Sequence, residues 1–145
     1  MQQKLIHESA GQRTFAVILE TGEEIVASLQ KFAERECIFA AQITAIGALS
    51  DVVLLYFDWQ KKEYLRIPVR EQVEVVSLMG DIAEASEGKP ALHIHMVVGK
   101  RDGTALAGHL GEAHVRPTLE LILTESPVHL RRRHDLASGL ALIDV

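Results

Sequence analysis

Only one stretch of the chain carries a helical period. Ile25, Leu29, Phe32, Ala33 and Cys37 recur on one helix face, while nearly every other apolar segment is short and β-branched. A chain of many strands and one helix buries its apolar faces most simply in antiparallel hairpins with the helix laid across them, because each parallel pair would need a crossover of its own. The expected class is therefore α+β, a mostly antiparallel β-sheet with one main packed helix. Thr21 followed three residues later by Glu24 predicts a capping box at the helix start. Strands are predicted over 14–19, 40–48, 52–57, 64–69, 73–82, 92–98, 105–110, 119–124 and 140–145, with Leu49-Ser50-Asp51 separating the second and third. No repeat or linker interrupts the chain, so one domain over 1–145 is expected.

Composition sharpens this. Hydrophobic residues make up 48% but aromatics only 5%, so the apolar content is almost wholly aliphatic. That is more apolar surface than one small domain with a single helix can cover, and it points to self-association. The net charge of -5 repels phosphate backbones and anionic lipid, so a nucleic-acid role would need a local basic patch. Arg131-Arg132-Arg133-His134 is the only basic run, and without interleaved aromatics it reads as a solvated turn. A lone cysteine, Cys37, at the end of the apolar helix face is expected to be buried and inert. With no signal-peptide pattern and no membrane-length apolar run, a cytoplasmic protein is expected.

Three of the seven histidines are placed so that one hairpin can gather them. His93 and His95 share a strand face because side chains alternate. A three-residue loop, Arg101-Asp102-Gly103, with Gly103 left-handed, pairs Lys100 with Thr104 and so His95 with His109, and all three imidazoles then face one way. A two-residue Asp102-Gly103 turn would pair Met96 with His109 and turn that ring to the opposite face. In the first register the three neutral nitrogens, with no thiolate, suit zinc and leave a fourth position open. His7, His114, His129 and His134 fit no such pairing and read as surface residues.

Other polar residues are candidates too. Glu120, inside Leu119-Glu120-Leu121-Ile122-Leu123, is the candidate catalytic proton-transfer group, because a carboxylate in an apolar strand must reach water, a cation or a site. Glu74 poses the same question and reads equally well as a solvent-facing residue. Arg116 could grip a substrate carboxylate but reads better as a surface pair. No phosphate loop, nucleophile elbow or CxxC motif occurs.

Several segments together resemble a known family, the PPC domain, also called PD1-like or DUF296, found in prokaryotes and in plant AT-hook proteins. They are Ile46-Gly47-Ala48 leading to Tyr56-Phe57-Asp58, Glu74 through Ile82, His93-Ile94-His95, and Gly108-His109-Leu110 ahead of Leu119-Glu120. The resemblance implies a homotrimer of α+β subunits in which His93, His95 and His109 are metal ligands. The His-x-His pair and the later histidine are also similar to acetolactate decarboxylase. A zinc-dependent hydrolase or decarboxylase acting on a small-molecule anion is therefore the leading expectation. The family's DNA-binding label is the alternative. It comes from plant members with a separate AT-hook, which this chain lacks, and Gln72 and Val73 stand where those members carry Arg and Phe. DNA binding is accordingly expected to be weak and sequence-independent.

Overall fold

Two long strands, each bent along its length, organise the molecule. The computed structural model describes residues 1–145. In chain order it runs β1 (Gln2–Ser9), β2 (Gln12–Glu20), α1 (Ile25–Glu36), β3 (Ala40–Asp58), β4 (Glu63–Val69), β5 (Val73–Glu84), β6 (Pro90–Gly99), β7 (Ala105–Glu125), β8 (Arg131–His134) and β9 (Ala141–Asp144). The architecture is the α+β one expected, nine strands in one sheet and one helix.

The first half of β3 pairs with β5, its second half with β4, and β7 runs along both halves. β6 lies between β5 and the first residues of β7. The ladder β3–β5–β6–β7 therefore returns to β3, a closed ring of hydrogen-bonded strands. Its interior is filled by alternate side chains such as Leu54, Leu78, Ile94, Met96, Val98 and Leu110, all buried. α1 packs against β6 and β7, burying Ile25, Leu29, Phe32 and Ala33, and Phe32 meets Phe15 edge to face at 5.4 Å.

Several local expectations are corrected. Leu49-Ser50-Asp51 does not end a strand. β3 continues through it as a bulged segment, with register shifts against β7 that absorb the bend. Segments 105–110 and 119–124 likewise belong to the single strand β7. Glu24 is itself the N-cap, accepting from Val26 N at 3.1 Å and Ala27 N at 2.6 Å, while the Thr21 hydroxyl donates to the Pro117 carbonyl. Cys37 is the left-handed C-cap (φ 55°) and is exposed rather than buried. The basic run is strand β8, not a turn. No helix is long and apolar enough to cross a membrane.

Candidate metal centre

The hairpin between β6 and β7 takes the three-residue loop. Lys100 N donates to the Thr104 carbonyl at 2.8 Å, Gly103 N donates to the Lys100 carbonyl at 2.9 Å, and Gly103 sits at φ 84°. A side chain there would be strained, which is why glycine closes this turn. His95 consequently pairs with His109. On the other side of β6, His93 pairs with Asp81 and His95 with Met79. The backs of these strands, Ile94, Met96 and Leu110, are locked in the ring's core, so the histidines face outward together.

Their rings lie 5.0 to 5.2 Å apart, centroid to centroid. His93 Nε2 stands 3.2 Å from His95 Nε2, and one nitrogen from each of the three rings falls within 4.8 Å of the others. The sequence-derived trio is thus brought together by one register. Burial, with smaller contributions from His93, His95 and Arg132, pushes His109 down to about 4, and burial followed by the His93 charge lowers His95. Near neutral pH these two imidazoles therefore present lone pairs, the form a metal ion needs. His109 Nδ1 is buried with no hydrogen-bond partner. Three convergent ring nitrogens, on rings of which one has a buried Nδ1 without a partner, fit a divalent metal of the zinc type.

Behind the rings stands a pair that sequence reasoning missed. Asp81 Oδ2 lies 3.6 Å from His93 Nδ1, and its other oxygen accepts from Arg132 Nη2. At 3.6 Å the contact is longer than a hydrogen bond, and it sets a negative charge behind a candidate ligand ring. Arg132 is the middle one of the three arginines of β8. Its side chain is only 8% exposed, whereas Arg131 and Arg133 are 74% and 78% exposed. Alternation along the short run was the available signal, and reading the run as a turn concealed it. Beside His93 and His109 opens a cavity of about 250 Å³, walled by Tyr64, Leu92, Arg132, Leu140 and Leu142. Tyr64 stacks at 5.1 Å from His109.

Glu120 is not part of this group within one chain. It is exposed, pairs with Ile46 and Ile18, and lines a separate depression with Thr44, Val76, Met79 and Ile122. β3 and β5 stand between it and β6, about 14 Å at normal strand spacing. Glu74 and Arg116 are exposed and far along their strands from the rings. Of the other histidines, His7, His129 and His134 are exposed as expected, but His114 is half-buried with Nδ1 at 2.9 Å from Asp51. That hydrogen bond raises its pKa and lowers the carboxylate's.

Comparison with known proteins fits this picture. The family model of the Plants and Prokaryotes Conserved (PCC) domain matches residues 6–127. Among solved structures, a plant- and prokaryote-conserved protein from Pyrococcus horikoshii is 33% identical over 92% of each chain, with a TM-score of 0.85. A metal-containing protein from Archaeoglobus fulgidus is 32% identical over 100% of this chain and 99% of its own, with a TM-score of 0.84. A candidate DNA-binding protein from Bacteroides thetaiotaomicron is 29% identical over 95% and 94% of the two chains, with a TM-score of 0.85. No curated protein matches the sequence significantly. The chain belongs to the Plants and Prokaryotes Conserved domain family.

Proposed function

We propose that this family member holds one zinc ion through His93, His95 and His109 and uses it to hydrolyse or decarboxylate a small oxo acid or ester. The observation that carries the reading is the convergence of three imidazole nitrogens from two registered strands to within 4.8 Å. When bound, zinc with three neutral ligands keeps its double charge, polarises a carbonyl and acidifies a water to a pKa of about 7. The chain's own residues supply the rest. β5, β6 and β7 fix the rings, Asp81 sets a negative charge behind His93, and Tyr64 with the β8–β9 hairpin shields one side from water. The metal-containing relative from Archaeoglobus fulgidus supports the metal part of this reading.

A homotrimer is part of the proposal. Ile46, Val76 and Met79 are 62%, 59% and 58% exposed on one outward sheet face, the face that also carries Glu120. Glu120 can transfer a proton at the histidines only if a neighbouring copy brings it there. A cytoplasmic location completes the reading and suits an exposed, unpaired Cys37.

The test is metal analysis followed by turnover on a panel of small esters, 2-oxo acids and acetohydroxy acids, for the native protein beside His95→Ala and Glu120→Gln. Metal-dependent turnover lost in His95→Ala is expected. Turnover absent from the native protein, with His95→Ala merely less heat-stable, would make the zinc a structural staple. Light scattering should give three chain masses, and a monomer would remove Glu120 from consideration.

The candidate DNA-binding relative supports a second reading, that the chain binds duplex DNA. Its charges weigh against it: Arg131, Arg132 and Arg133 are paired with Glu84, Asp81 and Asp144. Counterion release needs unpaired cations on one face. A mobility-shift titration is expected to show weak, sequence-independent binding that disappears at physiological salt.

A further inference from the structure

The β8–β9 hairpin lies beyond residue 127, where the family match ends, yet it closes one side of the cavity at His93 and His109. Three observations single out Arg132 on it. Its side chain is 92% buried, being 8% exposed, which is rare for a guanidinium that does not serve a partner or ligand. Its donors are only partly used: Nη2 donates to Asp81 and Nη1 to the Ala141 carbonyl at 3.0 Å, while the buried Nε–H has no acceptor. It also lines the same cavity as His93 and His109.

The charge balance favours an anion. Arg132 and Asp81 cancel, so three neutral imidazoles would leave the charge of a bound divalent ion uncompensated. The volume of about 250 Å³ falls below the roughly 300–1,000 Å³ of pockets for drug-sized ligands, and Leu92, Leu140 and Leu142 offer apolar wall. Both features select a short-chain acid.

We propose that Arg132 is the carboxylate-recognising residue of the site and that the β8–β9 hairpin is its specificity wall, admitting a small 2-oxo acid whose carboxylate takes the guanidinium fork beside the histidines. The assignment deepens the metal-dependent reading above and rests on it for the carbonyl end of the ligand, whereas the carboxylate end rests on Arg132 alone. A guanidinium suits this role because its planar donors meet a carboxylate in pairs.

The experiment uses pyruvate as the probe and methyl pyruvate as its uncharged counterpart, titrated by calorimetry into zinc-loaded and zinc-free native protein and into Arg132→Gln and Arg132→Lys. Pyruvate affinity is expected to fall at least tenfold in Arg132→Gln and to recover in part in Arg132→Lys, with zinc still bound stoichiometrically. Methyl pyruvate should bind weakly, and alike in native protein and the two variants at a given zinc loading. Equal pyruvate affinity in native protein and Arg132→Gln, or no pyruvate binding to native protein, overturns the proposal. If native protein takes up no zinc, the metal reading fails by itself, and the comparison in zinc-free protein still decides Arg132. A variant that loses the hairpin is replaced by nitrogen-detected NMR of native protein: the Arg132 Nε–H resonance should move on saturation with pyruvate, and a stationary resonance overturns the assignment.

Discussion

Two hairpins meet at the cavity, and they are held in opposite ways. β6 and the start of β7 are fixed by backbone: a closed turn, hydrogen bonds on both sides of β6, and Ile94, Met96 and Val98 buried behind the histidines. β8 and β9 have four residues each and one parallel bridge to the sheet, Glu84 to Arg131. Side chains do the remaining work, Arg131 on Glu84 and Arg132 on Asp81. Metal ligands tolerate errors of only about half an ångström, so they belong on the first kind of support. A wall that sorts ligands can sit on the second, where one side chain changes the outcome and the ring is untouched.

This contrast can be broken at several places. His95→Ala removes a ligand from the rigid hairpin, and its loss of zinc affinity should exceed the about 10- to 100-fold cost of losing an outer partner. Competition with a chromogenic chelator measures it. Gly80→Ala tests the backbone support, since an added Cβ would lie 2.6 Å from the His93 carbonyl oxygen and 2.9 Å from Ile94 Cγ1. It should lower stability by about 1–3 kcal/mol in denaturant unfolding and disturb the zinc site as well. If it leaves both unchanged, β5 and β6 are not as tightly joined as described. Asp81→Asn sits at the junction of the hairpins, and zinc affinity should fall about 10- to 100-fold with the fold retained.

A last effect is a slope with pH. An unfolded imidazole titrates near about 6.5, whereas His109 in the folded chain titrates at about 4 and His95 is also lowered. Across that window the unfolded chain binds protons that the folded, metal-free chain refuses. Stability of the metal-free protein should therefore fall as the pH drops from about 6.5 toward 4, and His109→Gln should flatten that limb. His114 has the opposite sign. Its pKa is raised by Asp51, so its contribution is present below the unfolded value and is lost as the pH rises through the folded one.

The rigid hairpin was legible in the sequence down to one choice, a two- or a three-residue turn: once Gly103 closes the three-residue loop, His109 has only one place to go. The softer parts were not. β1 is exposed at all eight residues, so it carries no inward face for a period to mark. β8 has arginines on both faces, and only the tertiary position of Asp81 makes the middle one different. Leu49-Ser50-Asp51 has the composition of a turn, but β7 beside it carries the strand through by bulging. Glu120 looked like a site residue because its neighbours are apolar, yet a strand can leave a carboxylate on its open face, and nothing local says how many strands lie between that face and the histidines.

The closed ring has a further consequence, for how the molecule breathes. From His95 to Gly99, β6 is paired on both sides, so the amide hydrogens there can exchange with solvent only when neighbouring strands part, at a free energy approaching that of unfolding the whole domain. β8 and β9 can peel away by giving up one bridge and a few ion pairs. In deuterium exchange the two sides of the same cavity should then run on separate clocks, the stretch from His95 to Gly99 slow and the arginine hairpin fast. A ligand could enter by the fast side without the metal ligands ever leaving their places.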